Sequence, residues 1–384
     1  MKSGIKWMAC GAGLLGGLMV FDGCANFFVP LTTPVPCTAN CPVVPPASGG
    51  NFVYVANTAT NSISGFAVGK GTLTSVPNMP FNLGFTPQAE VVSRANAYLY
   101  VAGLGAIYVY TINTNGSLTA SGTGAGVAVV SASSLDVSPD GNWLFALDQF
   151  NSALDVYQVA STGVITLAQQ VPYAASSGQV LQKMVKVSPD GTLIFAALGT
   201  GGIAVYGFNT SNGALANVAM LPPLSPTTSD NALVVDSTSS HLYAAKSGTG
   251  GGLWVYTIGS GGSLSSITGS PFAAGPQPLS VLLDSTGKYV YVANGTGNSI
   301  SGYSTATTGV PTALTGSPYT SGSSVRSLAR DRSGTYILAA ASAGSPDLTM
   351  YSLDATTAGK LDSVATAASG VDPAGAIFVT ATHP

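Results

Sequence analysis

Phe52-Val53-Tyr54-Val55-Ala56 sets aromatic side chains between valines and ends on a small residue, and the same arrangement returns six more times. The later copies are Tyr98-Leu99-Tyr100-Val101-Ala102, Trp143-Leu144-Phe145-Ala146-Leu147, Leu193-Ile194-Phe195-Ala196-Ala197, His241-Leu242-Tyr243-Ala244-Ala245, Tyr289-Val290-Tyr291-Val292-Ala293 and Tyr336-Ile337-Leu338-Ala339-Ala340. Short runs rich in β-branched and aromatic residues suit a packed strand. With Tyr54, Tyr100, Phe145, Phe195, Tyr243, Tyr291 and Leu338 as anchors, the spacings are 46, 45, 50, 48, 48 and 47, a mean period of about 47 residues. Four short strands with their turns fill that length, which is the size of a propeller blade. The repeat therefore predicts an all-β, seven-bladed β-propeller.

The rest of each repeat agrees. A second strand follows the anchor by 10 to 13 residues and carries an aromatic: Phe66, Tyr110, Tyr157, Tyr206, Tyr256, Tyr303 or Tyr351. Six repeats then show a Gly-x-Leu/Ile corner, at Gly71, Gly116, Gly163, Gly213, Gly262 and Gly359. Glycine permits positive φ at a hairpin corner, and the apolar residue opens an outer strand. An inner strand precedes every anchor but the first. The turn joining the two reads Ser138-Pro139-Asp140-Gly141, Ser188-Pro189-Asp190-Gly191, Asp284-Ser285-Thr286-Gly287 or Asp331-Arg332-Ser333-Gly334. Such aspartates resemble calcium ligands, but Ser or Asp first and Gly fourth is also the type I turn preference. Recurrence at the blade period favours the turn.

The first repeat lacks an inner strand, while Pro373–Thr380 resembles an inner strand with no anchor after it. Pairing the two closes the ring 3+1, with the C-terminal strand in the first blade. An open ring would leave sheet edges and faces bare. The propeller is thus expected to span residues 51–384.

Two segments precede it. Lys2 and Lys6, then an uncharged stretch from Trp7 to Phe21, form a secretory signal over residues 1–23. Fifteen helical residues reach roughly 22 Å, short of a bilayer core of roughly 30 Å. Gly23-Cys24 resembles the end of a bacterial lipobox, with Phe21 where Leu is usual, which makes Cys24 the expected lipidation site. Ordinary cleavage and an uncleaved anchor are the alternatives. Residues 24–50 are Pro-rich and read as an extended tether. Within it, Cys37 and Cys41 form a small disulfide loop in an oxidising compartment or remain free thiols. Gly11-Ala12-Gly13-Leu14-Leu15-Gly16 spells a dinucleotide fingerprint, yet it lies inside the signal with no strand before it, and carries no such meaning.

Only 7% of the 384 residues are charged, 46% are hydrophobic, and 12 Lys+Arg stand against 15 Asp+Glu for a net charge of −3. That balance excludes broad recognition of nucleic acid, which needs clustered basic charge. No Gly-x-Ser-x-Gly elbow occurs. No His/Cys/Asp cluster has metal-ligand spacing, so no metal and no cofactor are expected. Of the two histidines, His241 fills a slot held elsewhere by Tyr, Trp or Leu, a packing position, and His383 belongs to the tail.

Charges on the inner strands are the informative ones, because these strands line the axial channel. Asp136 and Lys186 both lie nine residues before their anchors, in adjacent blades, and are expected to pair or to meet a ligand. Glu90 lies ten before and Arg330 eight before. Lys183 and Arg326, both twelve before, open their strands at one mouth of the channel, where two cations suit a carboxylate or phosphate.

The Tyr-Val-Ala-Asn strands (Tyr54–Asn57, Tyr291–Asn294) and the Ser-Pro-Asp-Gly turns resemble those of the seven-bladed β-propeller lactonases, including 6-phosphogluconolactonases and muconate cycloisomerase-like enzymes, and of related YVTN-repeat proteins. The resemblance covers residues 50–384 and implies lactone chemistry. Arg326 matches the Arg of a family Pro-Arg motif, with Val325 in place of the Pro. Lys183 stands where those enzymes carry His, and Asn231-Ala232 where they carry Arg-His, so no histidine is placed as a general base.

Two functional readings follow. One is an exported, lipid-anchored binding or scaffold module in the periplasm or at the cell surface, monomeric, touching membrane only through its lipid. It would receive a small anionic ligand or an envelope protein at the channel mouth. The other is a divergent lactonase or cycloisomerase with Arg326 holding substrate charge and Lys183 or Glu90 moving the proton, Lys186, Asp136 and Arg330 contributing to binding.

Overall fold

A computed structural model of the chain describes residues 49–121, 131–173, 182–305, 308–343, 346–370 and 375–384. Residues 1–48, with the expected signal segment, Cys24, Cys37, Cys41 and nearly all of the expected tether, lie outside them. The described residues form seven antiparallel sheets of four or five strands, arranged as blades around an axis. Blade 2 is representative, running Ala89–Val92, Tyr98–Gly103, Ala106–Ile112 and Leu118–Ala120 from the axis outward. Blade 1 takes Phe52–Asn57, Ser62–Gly69 and Thr72–Ser75 from one end of the chain and Ala376–Ala381 from the other. Tyr54 lies opposite Thr380 and Val55 opposite Val379, so the expected 3+1 closure is present.

Sheets stack face to face, and their shared cores are the seams between blades. One such core joins Tyr54 and Ile63 of blade 1 to Leu99 and Tyr110 of blade 2, all buried. Burying a side chain of this size is worth about 1.5–3 kcal/mol. The repeated aromatics also latch each blade to the next. Tyr54, Tyr100 and Tyr291 donate their hydroxyls to the carbonyls of Gly116, Gly163 and Gly359, at 2.8, 3.2 and 2.7 Å. The residue two before each of these tyrosines lies flat against the same glycine. At Gly163, φ is +79° and a Cβ would meet the Tyr98 ring at 2.7 Å. The corner of blade 6, which the Gly-x-Leu pattern misses because Pro311 replaces Leu, is Gly309, and it packs on His241. His241 also bonds Asp236 at 2.9 Å, so its slot is a packing slot as expected. The last latch closes the circle: Gly71 of blade 1 donates its amide to the Tyr336 hydroxyl of blade 7 at 2.9 Å.

The Asp-bearing turns are structural. Asp140 Oδ1 accepts from Ser138 Oγ at 2.5 Å and from the Asn142 amide at 3.1 Å, and Gly141 donates to the Ser138 carbonyl at 2.9 Å with φ +76°. Although partial burial pushes the other way, these donors hold the Asp140 carboxyl below its ordinary range.

Two outcomes are expected. A chain ending at Gly370 loses the innermost strand of blade 1 and should be insoluble or molten, visible as lost near-ultraviolet circular dichroism; a truncated chain that melts like full length contradicts the closure. Gly163→Ala should cost about 1–3 kcal/mol in denaturant titration.

Candidate functional site

Around the axis the seven inner strands run in the same direction and do not pair with one another, which leaves inward amides to be satisfied by side chains. The preceding blade supplies them. Ser134 Oγ accepts from Val185 N at 3.0 Å, Ser280 Oγ from Leu328 N at 3.2 Å and Ser327 Oγ from Val379 N at 3.2 Å. Asp136 belongs to this system: Oδ2 accepts from Val187 N at 2.9 Å and pairs with Lys186 Nζ at 3.0 Å. The inter-blade pair expected from equal spacing therefore exists.

These strands enclose a cavity of about 520 Å³ whose wall includes Glu90, Asp136, Lys183, Lys186, Arg330 and, from beyond the strands, Arg94 and His383. Strand register explains each placement. Glu90 faces Val101, and at the same level the other blades place Leu135, Val185, Leu233, Val281, Leu328 and Val379. It is a carboxyl on an apolar rung, 7% exposed, in the seam between blades 1 and 2. Both of its oxygens are sealed from the surface without a well-formed hydrogen bond. Burial pushes its pKa well above the ordinary carboxylate range, and the nearby amides of Ala56 and Thr380 offset only part of that. Arg330 likewise replaces Val92, Val137 or Leu283 at its level, and its Nη1 reaches the carbonyls of Leu283 and Asp284 at 3.4 and 3.0 Å. Burial lowers its pKa from the usual guanidinium value.

Lys183 and Arg326 share a spacing but not a location. The strand of Lys183 pairs regularly from Met184, and Lys183 contributes to the cavity wall. In blade 7 a bulge between Val325 and Ser327 displaces Arg326, whose Nε bonds Ser342 Oγ at 2.9 Å on the exposed surface. The structure thus brings together Glu90, Asp136, Lys183, Lys186 and Arg330, and leaves Arg326 outside.

Two cavity residues escaped the sequence reading. His383 is no loose tail: its amide and carbonyl bond the Asn96 side chain at 2.6 and 2.9 Å, and its Nε2 lies 2.9 Å from the Val92 carbonyl. Burial, then the neighbouring Arg94 and Lys186 charges, push its pKa down to about 4 despite the Val92 bond. Arg94 follows the inner strand of blade 2 and lies 3.4 Å from His383 Nδ1. A third surprise lies off the cavity. Lys246 and Asp230 form an ion pair at 2.5 Å with no exposure at all, the ammonium also resting over the Trp254 and Tyr256 rings. Among the described residues no group of three or more His, Cys, Asp and Glu gathers as a metal site would require.

The described residues form a closed ring of seven sheets, each of four or five strands, around an axial cavity with charged groups in its wall. The chain belongs to the family described as lactonase, 7-bladed beta-propeller, which residues 105–378 match. Similar solved structures include a Bacteroides fragilis protein assigned provisionally as a 6-phosphogluconolactonase, at 15% identity and TM-score 0.68 over 88% of this chain and 99% of that one. The periplasmic gluconolactonase of Pseudomonas aeruginosa aligns at 16% identity and TM-score 0.64 over 86% of this chain and 99% of that one. A Lactobacillus plantarum protein aligns at 20% identity and TM-score 0.63, covering 72% and 84%. At these identities the likeness is one of fold. No curated protein matches.

Glu90 also sets a pH dependence. The unfolded chain releases this proton near pH ~4.3, whereas the folded chain retains it. Stability therefore falls as pH rises from there through the raised folded pKa. Glu90→Gln, which keeps the neutral shape, should stabilise the chain by about 1–3 kcal/mol at pH 8 and by little at pH 4, read from denaturant titrations at both.

Proposed function

We propose that this propeller is exported, held to a membrane by a lipid on Cys24, and works mainly as a module that binds a small organic acid or lactone in its axial cavity. The volume of about 520 Å³ lies within the range of small-molecule sites, roughly 300–1,000 Å³. Four cations line it, Arg94, Lys183, Lys186 and Arg330, against the carboxylates of Asp136, Asp284 and Asp331, with Asp136 held by Lys186 and Glu90 kept neutral by burial, which leaves a surplus of one positive charge. That surplus suits an anion, although the chain as a whole is acidic.

The observation that carries binding over turnover is the scatter of the three catalytic candidates. The Glu90 oxygens face the seam between blades 1 and 2, Arg326 sits on the outer surface, and only Lys183 offers an exposed group in the wall. Proton transfer needs its donor within hydrogen-bond reach of the reacting oxygen. Lactone hydrolysis is the second reading, supported by family membership and by a carboxyl that keeps its proton, which could pass to the ring oxygen as the ester bond opens.

Calorimetric titration with sugar acids, aromatic acids, their lactones and neutral sugars tests both. Acids are expected to bind, with Lys183→Gln weakening them about tenfold, the worth of one charge-assisted hydrogen bond, and the lactones should persist unhydrolysed. Lactone turnover that Glu90→Gln abolishes would replace the binding reading with the enzymatic one.

A further inference from the structure

Lys246 and Asp230 take no part in the wall of the axial cavity, yet both are ionisable groups with no exposure. Asp230 lies in Ser229–Val235 and Lys246 in His241–Ser247, neighbouring antiparallel strands of blade 5 that set the two residues directly opposite each other. The turn of this hairpin falls at residues 236–240, so the pair stands at its open end, beside the register shift between Asp230 and Ala232. Asp230 is fixed across the seam as well. Its backbone exchanges hydrogen bonds with Gly199 of blade 4 at 3.1 and 3.2 Å.

Their contact departs from that of a buried ion pair. Lys246 Nζ lies 2.5 Å from Asp230 Oδ1, closer than the roughly 2.7–2.9 Å of a charge-assisted hydrogen bond. The approach is off the direction of hydrogen bonding, and neither the nitrogen nor either Asp230 oxygen has a hydrogen-bonded partner. The Trp254 and Tyr256 rings lie 5.5 and 5.2 Å from the nitrogen and supply no acceptor for its protons beyond their faces. Two charges buried with so little hydrogen bonding are costly, whereas a neutral amide has no charge to bury. Burial pushes the Asp230 carboxyl above its ordinary pKa and the Lys246 amine below its own, against the attraction of each for the other. Both shifts favour an uncharged acid beside an uncharged amine.

We propose that Lys246 and Asp230 are joined by an amide bond between Nζ and Cγ, a covalent cross-link over the open end of the blade 5 hairpin. The free amine attacks Cγ of the protonated carboxyl and forms the N–C bond. A proton then passes from the nitrogen to the carboxyl hydroxyl, the bond from that oxygen to Cγ breaks, and water leaves. Nothing is oxidised or reduced, and no outside reactant takes part. Holding the two groups together replaces high concentration, with effective molarities of up to roughly 10⁵–10⁸ M for well-oriented partners. The lack of exposure keeps out the water that would reverse the step. The link stands apart from the cavity and holds whatever the cavity binds.

Peptide mass mapping of the folded, soluble chain, denatured only for digestion, reads the bond directly. Trypsin cuts after a free lysine, so an unlinked Lys246 yields the peptides 187–246 and 247–288. The amide blocks that cut. The expected result is a single peptide, 187–288, lighter than its sequence by one water molecule, with fragment ions that place the link between Asp230 and Lys246. Separate peptides cut at Lys246, or a joined peptide at its full sequence mass, show a plain ion pair and overturn the proposal. Asp230→Asn, close to the original in shape, assigns the acid. A joined peptide that now lacks ammonia, or restored cutting after Lys246, supports Asp230, whereas a joined peptide that still lacks water overturns the assignment.

Discussion

Face-to-face packing of neighbouring sheets is the contact on which everything else in this protein depends. A single four-stranded blade has two apolar faces and no means of covering them alone. Each aromatic of the anchor strand therefore crosses into the next blade and settles on a turn glycine, as Tyr98 does on Gly163 and His241 on Gly309. Because the coverage is mutual, it is complete only when the seventh blade meets the first. Tyr336 bonding Gly71, and Ala376–Ala381 lying beside Phe52–Asn57, make that meeting, and they join residues more than 260 positions apart in the chain.

A closed ring imposes a second constraint at its centre. Inner strands diverge too far to share a ladder, so their amides turn to the side chains of the adjacent blade. Ser134, Ser280 and Ser327 answer this with hydroxyls, and Asp136 with a carboxylate that then draws in Lys186. The polar character of the cavity wall is in this sense partly a by-product of closure. What exceeds structural need is the remainder: Glu90 on an apolar rung, Arg330 where other blades place Val or Leu, and Arg94 without a counter-charge among the described residues. Groups that the fold does not require are where ligand recognition is most plainly written.

Legibility followed distance along the chain. Blade number, the aromatic positions and the turns were readable because each depends on contacts within a few dozen residues, repeated often enough to average out exceptions such as Pro311. The pairing of Asp136 with Lys186 was readable too, since equal offsets in adjacent blades fall on one level of the ring. Arg326 and Lys183 show where the same logic stops: equal offsets, but a bulge at Val325/Ser327 sends one outward. A bulge is a one-residue choice made by the local ladder, and nothing in the residue count announces it. The placement of His383 was invisible for a related reason, since it depends on which element lies across the seam, while the buried Asp230–Lys246 pair joins opposite residues of neighbouring strands in one blade beside a register shift at Asp230/Ala232.

The amino-acid order alone determined the repeat, its period and the need for a closing strand, because hydrophobic alternation and turn chemistry are local and acted seven times over. Tertiary structure decided which charges meet. Whether a side chain reaches the cavity, the seam or the outer surface is settled by register, bulges and the neighbouring blade, and those are properties of the assembled ring.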